Sequence, residues 1–320
     1  MTLELLHYAF MQRALLAALL VGLTAPSVGV YIVQRRLALI GDGMGHVALA
    51  GVAVGVLMTG RPVLTALMAA VAGAVIIELV RARGRTSGEV ALAIMFYGGI
   101  AAGVVIISRV PGGTPANLNS YLFGAITTTS RADLAVFTAL AAVVLTVTVG
   151  LAPRLFAVSN DEEYARAAGL PVLAINLLLA VITATTVVIS MRVVGLLLIS
   201  ALMVVPVATS QLLVGSFRAT LLLAVGIGVV VSVGGTVSSY YANAPSGGSI
   251  VLLAISLFAL VVTGSAVRGR LRRSTHDEAE DHLHLHGEDC GHPSLEHDDH
   301  LDYLHHGHRH AAHGAHYDEH

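Results

Sequence analysis

Asp42 and His46 stand four residues apart in the stretch Leu39-Ile-Gly-Asp-Gly-Met-Gly-His-Val-Ala-Leu-Ala-Gly51, where every other residue is apolar or glycine. On a helix, side chains at that spacing share one face, with Cβ atoms about 6 Å apart. A carboxylate oxygen and an imidazole nitrogen placed together in this way can ligate a divalent transition metal such as Zn²⁺ or Mn²⁺. Inside a bilayer each such group costs about 3 kcal/mol unless it meets a partner, water or an ion. The spacing also fits a structural role, with Asp42 capping the helix and His46 as its hydrogen-bonding neighbour. Spacing alone does not choose between the two.

A second concentration of ligand-type residues lies at the other end of the chain. Residues 274–320 carry 14 of the 16 histidines, 12 acids and a single arginine. The runs His282-Leu-His284-Leu-His286, Cys290-Gly-His292 and His305-His306-Gly-His308-Arg-His310 place several imidazoles within reach of one ion, and such tracts suit Zn²⁺, Ni²⁺ or Cu²⁺. The same composition also describes a hydrophilic, pH-titrating tail with adventitious affinity. Few large apolar side chains are present to offset the ordering of the chain, so the tail is expected to be disordered without metal.

The elements that position Asp42 and His46 must be membrane helices. Of the 320 residues 55% are hydrophobic and only 12% charged, with a mean hydropathy of +0.78, too apolar for a soluble domain of this length. The expected fold class is all-α: a polytopic membrane domain over 1–273 and an acidic, His-rich cytoplasmic tail over 274–320. Stretches of about 20 apolar residues can cross a bilayer as helices. Nine are visible, at 15–33, 37–58, 63–80, 90–108, 134–151, 172–190, 194–214, 221–239 and 250–267. The first is too long for a signal-peptide core and lacks a cleavage pattern, so it counts as a span. Residues 117–130 could form an interfacial or re-entrant helix, and an alternative count of eight spans would move the N-terminus to the other side. Most small residues read as close helix packing. Pro26 and Pro206, with the Gly22/Gly29 pair, are candidates to kink spans one and seven.

Charge sets the orientation. Residues 1–273 hold 17 Arg and 8 acids. With the N-terminus outside, twelve of those arginines fall on inner loops and five on outer ones, so the N-terminus is expected outside and the tail in the cytoplasm. All 18 basic residues are Arg. A P-loop and a protein-kinase site each need a Lys, so this chain does not itself run on ATP in either way. The lone Cys290 excludes a disulfide framework and a four-cysteine zinc site within one chain.

The loop from Pro153 to Pro171 has its own logic. Asn160 followed three residues later by Glu163 resembles a capping box, and the acids Asp161, Glu162 and Glu163 suit a positive helix N-terminus. Gly169 and Pro171 signal a stop. The short polar helix so enclosed is too short to be stable alone and is expected either to dock on a partner or to be an ordinary solvated connector.

Three segments carry a family resemblance. Gly41-Asp42-Gly43-Met44-Gly45-His46 resembles the G-D-x-M-x-H signature of the zinc/manganese/iron ABC transporter permeases. Asp161-Glu162-Glu163-Tyr164-Ala165-Arg166-Ala167-Ala168-Gly169-Leu170 is similar to that family's cytoplasmic loop. The third, from Val194 to Pro206, resembles its glycine- and proline-containing late span. The similarity runs over roughly residues 10–267, and Gly43 and Gly45 stand where bulkier small residues are more usual.

The resemblance implies a permease subunit in the cell membrane, working as a homodimer. It implies a cytoplasmic ATP-binding subunit and an extracytoplasmic metal-binding protein as partners. Asp42 and His46 would serve metal passage, and the segment bearing Asn160, Asp161, Glu162, Glu163, Tyr164, Arg166, Gly169 and Leu170 would be the coupling helix on the ATPase. No permanently bound cofactor and no nucleic-acid partner is expected; the metal is cargo, and ATP enters only through the partner subunit.

The competing reading is a secondary, proton-coupled metal transporter or exporter with a metal-sensing tail. It calls for ligands on at least two spans, whereas Glu78 and Glu89 flank the arginine-rich third loop and Asp133 borders a span. A membrane scaffold without transport would leave Asp42 and His46 unexplained. Imidazole suits Zn²⁺ whereas carboxylate, carbonyl and water suit Mn²⁺, so the His-rich tail favours zinc, with manganese or iron next. The tail could instead limit free metal that has already entered.

Overall fold

The computed structural model describes residues 7–84, 88–110, 122–124, 129–191, 193–196, 198–277, 291–297, 300–305, 308–313 and 316–319. The chain divides into two compact units, Met1–Val262 and Thr263–His320.

The first unit is a helical bundle. In order it contains α1 (Ala9–Gln34), α2 (Ile40–Val54, widening into a π turn over Gly55–Thr59), α3 (Pro62–Ala82) and α4 (Gly88–Ile107). These are followed by α5 (Arg131–Gly150), α6 (Ala152–Asn160), α7 (Glu162–Ala167), α8 (Val172–Met191), α9 (Ile199–Gln211), α10 (Phe217–Ala242) and α11 (Ser246–Asp277), the last running on into the second unit. Apolar runs make the helix interiors, and polar residues punctuate their ends. Ser130 Oγ accepts from the Asp133 N–H at 3.1 Å while Asp133 returns the bond to the Ser130 N–H, also at 3.1 Å, forming the capping box of α5. Ser216 caps α10, and Asn243, in the left-handed region at φ 49°, closes it.

α1, α2 and α8 are the most buried of the long helices, while α4 and α11 keep most of their apolar surface outward, as lipid-facing helices do. Tyr31 on α1 is fully buried, and its hydroxyl donates to the Thr148 carbonyl of α5 at 2.8 Å.

Among the described residues eight helices are long and apolar enough to cross a membrane. The seventh span read from the sequence, 194–214, differs: its helix is α9, of 13 residues. At 1.5 Å per residue that is about 20 Å, short of a hydrocarbon core of about 30 Å. The preceding turns supply the rest of the distance. Ser246 Oγ donates to the Val193 carbonyl at 3.3 Å, which fixes residue 193 at the end where α10 turns into α11. Gln211 instead shares a cavity with Gln34 and Asn160 at the opposite end. Residues 193–211 therefore traverse the bundle as a broken span. The break is held by close backbone approach: Gly195 adopts φ +94°, and a Cβ there would lie 2.5 Å from the Leu122 carbonyl oxygen. Phe10 meets Tyr240 at the end where α11 begins, so α1 and α11 both start from that end.

In the second unit the described stretches of the tail include four short strands, β1 (Ser294–His297), β2 (His300–His305), β3 (His308–His313) and β4 (His316–Glu319), paired antiparallel in sequence order. Two residues separate each strand from the next, the spacing of a hairpin ladder.

Candidate functional site

α2 begins at the end of the bundle where α1 finishes. Its N-cap is Leu39, whose side chain makes no cap, and Asp42 sits in the first turn, where a carboxylate suits the positive end of the helix. Asp42 is half-buried. One turn on, His46 is 9% exposed and presents its ring edge-on to Phe96 of α4, with ring centroids 4.4 Å apart and planes at 75°. Its Nδ1 is buried and has no hydrogen-bond partner among the described residues. An orphaned polar atom costs ~1–3 kcal/mol, and a neutral imidazole nitrogen left open in this way suits a cation passing the site.

Three glycines bring the neighbouring backbones onto this turn. A Cβ at Gly99 of α4 would stand 2.7 Å from the His46 carbonyl carbon, so α4 can lie flat on α2 only because Gly99 has none. A Cβ at Gly41 would meet Ser200 Oγ of α9 at 2.8 Å, and one at Gly45 would meet Leu196 Cγ at 3.4 Å. The broken span is thus seated on the residues that flank Asp42 and His46. Ser200 Oγ is itself buried without a partner. Among the described residues no group of three or more His, Cys, Asp or Glu side chains could hold a metal ion. Asp42 and His46 stand one turn apart on α2 without a third such side chain grouped with them among the described residues.

The 153–171 segment follows α5. The helix start lies one residue later than the sequence suggested. Asp161, not Asn160, is the N-cap of α7, and its Oδ1 accepts from the Tyr164 N–H at 2.9 Å. Asn160 remains helical at the end of α6, and its side-chain oxygen is taken by Gln34 Nε2 at 2.9 Å. The stop is where the glycine predicted it. Gly169 has φ +80°, its N–H bonds to the Arg166 carbonyl and the Leu170 N–H bonds to the Ala165 carbonyl, both at 3.0 Å, a Schellman closure.

α7 has two faces. Asp161, Glu163, Tyr164 and Arg166 are exposed, with Gly169 beyond them, whereas Ala165 is buried and Glu162 turns inward. Glu162 Oε1 receives Arg35 Nη2 at 2.7 Å, Arg81 Nη2 at 2.6 Å and Asn176 Nδ2 at 2.9 Å. Arg81 also grips the buried Glu78, with Nη2 to Oε1 at 2.9 Å, and Arg35 Nη2 lies 4.0 Å from the same oxygen. Burial works to raise the Glu162 carboxyl, but the Arg81 hydrogen bond and charge, the Arg35 charge and the Asn176 amide outweigh it and hold the group below its usual range. Burial and the neighbouring Arg81 charge lower Arg35, partly opposed by Glu78 and Glu162. A cavity of about 630 Å³ opens beside the cluster, lined by Arg81, Glu162, Arg166 and Asn176 among others.

Sequence reading did not foresee this cluster. Its members at 35, 78, 81, 162 and 176 share no local spacing; the one available signal was Glu78 with Arg81, an acid in an apolar span three residues from a base. In the tail, His282, His284, His286, Cys290 and His306 lie outside the described residues. His292 precedes β1, His305 stands opposite His308 in the β2–β3 register, and Tyr303 stands opposite His310.

Residues 7–265 match the ABC 3 transport family. The chain belongs to that family. It is therefore the membrane-spanning subunit of an ABC transporter, a multi-pass membrane protein that is not itself catalytic. Among relatives of this family member, the manganese transport system membrane protein MntC of Halalkalibacterium halodurans is 33% identical over 270 residues, covering 84% of this chain and 92% of the relative. A probable metal transport system membrane protein of Treponema pallidum is 34% identical over 268 residues, covering 84% of this chain and all of its own length. Among solved structures, PsaBC from Streptococcus pneumoniae in complex with Fab aligns with a TM-score of 0.73 and 30% identity, over 82% of this chain and 95% of that one.

Proposed function

We propose that this ABC permease imports a divalent transition metal, with Asp42 and His46 as the station the ion passes inside the membrane. The observation that carries the reading is the buried turn of α2, where a carboxylate and an imidazole with an open Nδ1 share one face at the contact with α4 and the broken span. Two ligands from one chain hold an ion weakly, which suits passage, and leave room for a second copy of the chain in a homodimer to complete the coordination shell. The exposed face of α7, with Asp161, Glu163, Tyr164 and Arg166, receives the ATP-binding subunit, and an extracytoplasmic metal-binding protein delivers the ion from the other side. The His-rich tail is a cytoplasmic metal-responsive extension, and no permanently bound cofactor is needed.

The imidazole ligand and the tail histidines favour zinc on ligand chemistry. Manganese is the second reading, supported by the relatives named for manganese transport. The test is accumulation of ⁶⁵Zn and ⁵⁴Mn by cells lacking their own high-affinity importers, with and without this chain and its ATPase subunit. Saturable uptake of zinc in preference to manganese supports the first reading, and the reverse order the second. No uptake of either ion removes the proposal.

A further inference from the structure

We infer that Glu162 is a positioning residue that ties the cytoplasmic helix to α3, which packs on the helix carrying the metal station, and to α1, so that a displacement of α7 is delivered to both through one carboxylate. The inference rests on the importer reading above and names a device which that reading does not contain.

Glu162 is the first residue of α7, a helix of six residues with almost no packing surface of its own. One oxygen of its carboxylate accepts from Arg35 at the C-cap of α1, from Arg81 near the end of α3 and from Asn176 in the opening turns of α8. The two arginines face two acids, Glu162 and Glu78, so the cluster is neutral as a whole, and Glu78 is only 2% exposed. Removing the Glu162 charge leaves Arg35 and Arg81 sharing a single buried acid, a state that repels. The link to α8 is also covalent, through the Gly169 closure and Pro171. For α1 and α3 the hydrogen bonds to this helix among the described residues are those to the Glu162 side chain, beside the Gln34–Asn160 bond that holds α1 to the end of α6. α3 in turn lies against α2 with backbones nearly touching: a Cβ at Gly51 would stand 2.7 Å from Ala66 Cα. The helix bearing Asp42 and His46 must therefore follow α3. Because Glu163 and Tyr164 are exposed while Glu162 turns inward, a partner can bind the outer face while the inner carboxylate carries the motion inward.

The test uses the full chain assembled with its ATPase subunit in proteoliposomes, with the extracytoplasmic metal-binding protein supplying the ion, measuring ⁵⁴Mn and ⁶⁵Zn uptake and phosphate release together. Glu162→Gln is expected to retain the ATPase subunit and hydrolyse ATP while the metal moved per ATP falls tenfold or more. Glu162→Asp, which keeps the charge on a shorter stem, should recover part of that ratio. Arg81→Lys, a second route to the same link should Glu162→Gln fail to assemble, keeps the charge but loses the fork and should lower the ratio several-fold. If uptake and hydrolysis fall in proportion in these variants, or if neither changes, Glu162 is ordinary packing and the inference is wrong. A wild-type complex that moves neither ion with ATP removes the importer reading, and this inference with it.

Discussion

His46 combines two properties that rarely coexist without a purpose: it is nearly buried, and one of its ring nitrogens has no bonding partner among the described residues. Asp42→Ala and His46→Ala should each lower metal uptake at least tenfold, with membrane levels unchanged, because each removes one of the two proposed ligands. Unchanged accumulation in both variants would make the pair structural. The pair was legible in the sequence, since an i,i+4 carboxylate and imidazole in an apolar stretch is a local pattern. Its surroundings were not: Gly99 lies 53 residues further on, and nothing near it in the sequence marks it as the floor under His46. Gly99→Val should force α4 away from α2, costing about 1–3 kcal/mol as overpacking does, and lower uptake without touching a ligand. Thermal unfolding of the detergent-purified protein beside an uptake assay checks both effects.

At the scale of the element, α7 is a six-residue helix held by its ends and by one side chain. Gly169 sits at φ +80° with open space around it, so an added side chain meets no neighbour but must adopt a left-handed backbone, at a cost of about 1–2 kcal/mol. Gly169→Glu should therefore loosen the closure, place an acid on the outer face and reduce both the ATPase subunit that co-purifies and the uptake it drives. Normal co-purification with full transport would count against a coupling role.

The Glu162 carboxyl is held below its ordinary value, so the stability it contributes is fully present above the unfolded carboxylate pKa of about 4.3 and is lost as pH falls through the lower folded value. Limited proteolysis of the 160–171 segment should be flat from pH 7 to about 5 and accelerate below about 4, and Glu162→Gln should flatten that response. The sequence marked the stop of this helix correctly because Gly169 acts locally. It misplaced the start by one residue, because Asn160 and Asp161 are equally good caps and the choice was made by Gln34, over a hundred residues away. Likewise the apolar run at 194–214 announces a crossing, but the break within it depends on contacts with 122–124 and α11 that no periodicity shows.

For the whole molecule, charge segregation gives the expected orientation, and among the described residues eight helices are long enough to cross unaided. The family match ends at residue 265, so the His-rich tail lies beyond the shared core. Deleting 274–320 should leave uptake intact at low metal and change its response at high metal, and complete loss at every concentration would put the tail in the path. The central claim is ATP-driven passage of a divalent metal past Asp42 and His46. The most direct measurement is ATP-dependent accumulation of ⁶⁵Zn and ⁵⁴Mn in proteoliposomes holding the wild-type complex, beside complexes carrying Asp42→Ala or His46→Ala that still hydrolyse ATP. The account predicts accumulation of at least one ion in the wild type and a tenfold or greater loss in each variant; equal accumulation in all three would contradict it.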